Sequence, residues 1–151
     1  MAKFGVTGNK GAANVQSVLT LHAAAANSRR AKLAQITFGC IENPPFDSQI
    51  VHIVQRATTV ATGAARTPNS LDPADTQAST IQAFDTVTAD PTLTAGAFLL
   101  EKALNERATF NWVAREGYEL VIPATANNGF MIGLSAVTTR KYGYDCLFEE
   151  E

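Results

Sequence analysis

The chain has 151 residues, of which 46% are hydrophobic and 17% charged, with a formal net charge of −2. That length suits one domain able to bury a core. A charged fraction below the about 25% of ordinary soluble domains leaves a surface of Ala, Thr, Asn, Gln and Ser, which tolerates protein contact because few ions must be desolvated.

Residues 1–14 are rich in Gly, Asn, Lys and Ala and read as an irregular N-terminal arm. The opening MAKFGVTGNKG lacks an apolar run after its lysine, so no signal peptide is expected and synthesis in the cytoplasm follows. VQSVLTLHA, 15–23, alternates like a strand, with Ala23 to Ala26 leaving a helix open. RRAKLAQITFGCI, 29–41, alternates more plainly and is stopped by the turn ENPPFDS. QIVHIVQRATT, 49–59, is a β-branched run of strand length. Residues 60–95 are dominated by Ala, Thr, Pro, Asp and Asn and read as a long loop that binds or wraps a neighbour.

After the loop come AFLLEKALN, ATFNWVAR, YELVIPA, FMIGLSAVT and YGYDCLFEE, each strand-like. Between the third and fourth of these lies Asn127-Asn128-Gly129, a hairpin signal because such residues tolerate positive φ. The uncharged span from Leu120 to Thr139 is long enough to cross a membrane, but Pro123 and this triplet would strand backbone groups in lipid. Both faces of residues 129–137 are apolar, so that strand is expected to be covered on both sides, inside a sandwich or at a subunit contact. The sum is an all-β chain: an antiparallel β-sandwich of about eight strands, of jelly-roll type.

Charge is placed unevenly. Residues 1–41 hold Lys3, Lys10, Arg29, Arg30 and Lys32 and no acid, whereas all 14 acids lie from Glu42 onward and the chain ends Glu149-Glu150-Glu151. A basic arm on an acidic domain suggests attraction to an acidic partner surface. Five dispersed bases make no continuous stripe interleaved with aromatics, which argues against nucleic acid.

Chemistry is sparse. His22 and His52 are the two histidines, so the His-x-His cluster of metal-binding cupins is missing, and His52 within a strand reads as a hydrogen-bonded structural residue. Cys40 and Cys146 form no disulfide framework and read as small buried hydrophobes. Acid pairs that could serve glycoside hydrolysis, Glu116 with Glu119 and Asp72 with Asp75, sit at turns. Asp72-Pro73 is read as a turn and not as a calcium site, for which ligands are too few. Phe110 and Trp112 share a strand face and read as core, with a sugar-stacking platform as the alternative. No metal, cofactor or enzymatic activity is expected.

Several segments together, SRRAKLAQITFG, VQRATTVATGAARTPNSLDPAD, PTLTAGAFLLEKALNERATFNWVA, GYELVIPATANNGF and the closing FEEE, resemble the small jelly-roll head decoration, or cement, proteins of tailed bacteriophages and prophages. The likeness covers most of residues 28–151, and its order and spacing are more specific than any one motif. It implies a non-enzymatic virion protein, made in the host cytoplasm, that forms a homo-oligomer, often a trimer. Its partner would be the major capsid protein on the capsid exterior. The residues expected to meet that partner are Lys3, Lys10, Arg29, Arg30 and Lys32 from the basic region and Leu71, Asp72 and Asp75 from the long loop. The alternative function is a trimeric binding module of the same shape, a fibre tip recognising glycan or receptor.

Overall fold

The computed structural model describes residues 1–25 and 29–151. The strands in chain order are β1 (Ala2–Asn9), β2 (Ser17–Ala23), β3 (Ala31–Cys40), β4 (Gln49–Ala57), β5 (Thr62–Arg66) and β6 (Asn69–Ser70). They continue with β7 (Ile81–Ala89), β8 (Leu93–Asn105), β9 (Phe110–Val113), β10 (Leu120–Ile122), β11 (Gly129–Leu134) and β12 (Tyr142–Glu150). One sheet runs β10-β3-β12-β1-β6 with β9 also on β3, and the other runs β5-β7-β2-β11-β4-β8.

The expected antiparallel sandwich is present, and its winding is that of a jelly roll. The two halves of the chain pair strand for strand: β1 with β12, β2 with β11, β3 with β9 and β10, β4 with β8. A long antiparallel hairpin is thus rolled so that successive strands mostly fall in opposite sheets. Phe4, Leu19, Leu21, Leu33, Ile36, Phe130, Ile132 and Phe148 fill the space between the sheets. These nine strands carry an insertion, β5 to β7, at the tip of that hairpin.

Three sequence expectations need correction. The N-terminal arm is not irregular, because β1 lies between β12 and β6, with Ala2, Phe4 and Val6 buried. Residues 60–95 are not a loop, because they hold β5, β6, β7 and the start of β8. Asn127 does take positive φ, 65°, but no hairpin follows: β10 pairs with β3, while β11 pairs with β2 and β4 in the other sheet. The segment is a crossover, pinned by Asn127 N–H to the Ala23 carbonyl and Ala23 N–H to the Asn128 carbonyl. Ala23 ends β2, so no helix begins there, and Ala26 lies outside the described residues.

All six residues of β11 are buried within this one chain. The apolar character that suggested a subunit contact there is absorbed by β11's place between β2 and β4. His52 has the structural role expected: the Tyr144 hydroxyl donates to the Gly133 carbonyl at 3.1 Å and accepts from His52 Nδ1 at 2.6 Å. That fixes His52 with its proton on Nδ1, against the Phe38 ring at 4.4 Å between centroids. Phe110 and Trp112 pack against the core, and Cys146 is a buried free thiol while Cys40 is half-buried.

Candidate functional surface

The strand registers and a backbone hydrogen bond place three of the sequence-nominated residues, Lys3, Lys32 and Leu71, at one end of the first sheet. Lys3 stands opposite Glu149, Glu149 opposite Lys32, and Lys32 opposite Val121, so one cross-strand row reads Lys3, Glu149, Lys32, Val121. Leu71 extends the row, since its N–H donates to the Lys3 carbonyl at 2.9 Å. The row lies on the outer face: the neighbours Phe4, Leu33 and Phe148, which point inward by strand alternation, are buried, whereas Lys3 and Leu71 are exposed. Between Lys3, Ala34, Leu71, Phe148 and Glu149 lies a dimple of about 150 Å³. Its wall is apolar and its rim carries one charge of each sign, the arrangement of a socket for an apolar side chain.

The same sheet end explains the uneven charge. β12 lies between β1 and β3, so the terminal acids arrive between basic strands. Glu150, fully buried, receives Arg29 Nε at 2.9 Å and Nη2 at 2.8 Å, the Thr80 hydroxyl at 2.9 Å and the Ser79 hydroxyl. Lys32 Nζ binds Glu151, which raises the lysine pKa and lowers that of the carboxylate. Arg29 and Lys32 of the basic region are therefore engaged by the chain's own acidic tail.

The remaining nominated residues are scattered. Lys10 is buried, its Nζ donating to the carbonyls of Val15 at 2.6 Å and Ala12 at 3.0 Å. Desolvation lowers its pKa, with Asp90 acting in the opposite sense. A lysine so held binds its own loop and has no reach to a partner. Arg29 likewise serves Glu150 and the Ala78 carbonyl. Arg30 is exposed. Asp72 and Asp75 have the turn role read from Asp72-Pro73: their Oδ1 atoms accept from the N–H of Ala74 and Gln77, each at 2.9 Å.

Sequence reading missed the polar trough farther along this face. Gly143 of β12 stands opposite Gly39 of β3 and Asn9 of β1, and the next row is Thr7, Asp145, Thr37 and Asn111. A Cβ at Gly39 would come within 3.2 Å of Thr109, and one at Gly143 within 3.2 Å of Asn9, so the glycines keep the floor open. The trough measures about 310 Å³. Its signal, isolated Gly and Thr in alternating strands, is also what an ordinary solvated face looks like. Among the described residues, no group of three or more His, Cys, Asp or Glu gathers as a metal site. No family model, curated protein or solved structure matches the chain.

Proposed function

We propose that the chain is a structural virion protein that decorates the exterior of an assembled phage head, binding the major capsid protein through the outer face of its β1-β12-β3 sheet. The observation that carries this reading is the apolar socket at Leu71 and Ala34, rimmed by Lys3 and Glu149 on an exposed, sparsely charged sheet. The resemblance of its segment order to that of head decoration proteins and the jelly-roll winding support it. Attraction by a free basic arm is no longer part of it, since Lys10, Arg29 and Lys32 are engaged within the chain.

The test is co-sedimentation with expanded empty shells of the same phage, followed by electron microscopy of the particles. Leu71→Asp, at an exposed site, is expected to fold normally and lose at least about tenfold in shell affinity, as at an interface anchor. Unchanged decoration would refute the docking face. Failure of the wild-type protein to bind shells at all would refute the function.

A second reading, a glycan-binding module, is favoured by one feature: the glycine-floored trough presents the neutral hydrogen-bonding groups of Thr7, Asn9, Thr37 and Thr109 with a single carboxylate, Asp145. Binding of the isolated protein to a glycan array, abolished by Asn9→Ala, would support it.

A further inference from the structure

Among the described residues, the flank opposite the insertion leaves both sheets unpaired. There β8 is outermost in one sheet and β9 and β10 are outermost in the other. Leu99, Leu104, Phe110 and Trp112 lie between them only partly covered, and Phe98 and Val113 are exposed. The N-terminal half of β8 is guarded against edge pairing by register shifts opposite Val54, Gln55 and Ala57 and by Gly96 at φ 71°. From Glu101 to Asn105 its pairing with Gln49–Ile53 is unbroken.

The direction of the free backbone groups on that stretch is fixed. Glu106 N–H donates to the Ser48 carbonyl, so even-numbered residues of β8 bond inward to β4. Glu101, Ala103 and Asn105 therefore direct their backbone groups outward. In an antiparallel pair, opposed residues must both bond across the contact or both point away from it, so a two-fold axis must pass through a residue.

We infer that this stretch pairs with the same stretch of a second copy about an axis at Ala103. An axis at Glu101 would oppose two carboxylates, and one at Lys102 two ammonium groups, both destabilising. The Ala103 axis uses the whole regular stretch and opposes Glu101 to Asn105 and Lys102 to Leu104 of the second copy. No like charges meet. Ala103 exchanges both backbone bonds with its copy. Asn105, whose carbonyl already takes the Ala108 N–H, gives its own N–H to the Glu101 carbonyl of the second copy. The surrounding charges, Glu101, Lys102, Arg107, Arg115, Glu116 and Glu119, balance in sign, so the flank can face itself without net repulsion. This inference does not rest on shell binding.

Sedimentation velocity at high micromolar concentration is expected to show a species of twice 16.1 kDa. Ala103→Pro removes the central outward N–H, a change an edge strand tolerates, and is expected to give a monomer of unchanged melting temperature. A second measurement reads the register and holds even if that variant misfolds. Lys102 and Leu104 of the second copy form a non-hydrogen-bonded pair, whose α-carbons lie about 4.5 Å apart, within disulfide reach. Lys102→Cys chains mixed with Leu104→Cys chains should cross-link to each other and not to themselves. A wild-type monomer throughout, a dimer that Ala103→Pro leaves intact, or self-linking of Lys102→Cys would overturn the inference.

Discussion

His22 and His52 are the residues through which acid reaches this fold. Burial lowers both pKa values from 6.5 to about 4, because each ring is kept neutral among apolar neighbours. The unfolded chain binds the extra protons between those values, so stability falls as pH drops from about 6.5 to about 4 and levels off below. At 1.36 kcal/mol per unit each histidine can remove up to about 3 kcal/mol. Urea unfolding at a series of pH values is expected to show its midpoint declining across that window, and a flat midpoint there would contradict the assignment. Tyr144 completes the His52 unit. Tyr144→Phe leaves the His52 Nδ1–H without a buried partner and is expected to cost about 1–3 kcal/mol by the same assay.

Among the elements, β1 and β11 bear the heaviest constraints. Deleting residues 1–9 removes an interior strand and exposes the unpaired edge of β12, so the truncated chain is expected to lose its folded circular dichroism instead of merely losing a tail. Gly129 of β11 lies so close to β2 that a Cβ there would sit 1.8 Å from the Leu21 carbonyl oxygen. Gly129→Ala is expected to destabilise by more than about 4 kcal/mol, as overpacking against fixed backbone does, measurable by thermal unfolding. Most strands were legible in the sequence: β3, β4 and β12 show period-two alternation or a β-branched run, and counting them gave the sandwich. β1 escaped because Gly5 and Gly8 interrupt an alternation that Ala2, Phe4 and Val6 nonetheless keep. β7 escaped because Asp85 occupies an inward position, which is tolerable only with Arg66 at 2.7 Å and the Asn9 N–H at 3.2 Å. The Asn127 turn was legible as a turn but not as a crossover, since a local φ preference carries no information about which sheet the next strand joins.

For the molecule as a whole, the uneven charge is an internal device that locks the winding. Basic β3 and the acidic end of β12 are far apart in sequence and adjacent in the sheet, so opposite charges meet only in the correct register. Of the nominated contact residues, Lys3, Lys32 and Leu71 reach the outer face, but strand alternation was legible only around Lys32, since Lys3 sits in the strand that its glycines obscure and Leu71 lies just past the end of β6. Lys10 and Arg29 were misjudged because composition cannot tell a charge left to solvent from one met by a distant strand. The central claim, that the acidic tail is the partner of the basic region, is tested most directly by a double-mutant cycle on Arg29→Ala and Glu150→Ala, read as unfolding free energy. With Glu150 buried and Arg29 bound at 2.8 Å, the account predicts a coupling of at least about 1.5 kcal/mol. Effects that add within about 0.5 kcal/mol, the behaviour of independent sites, would contradict it.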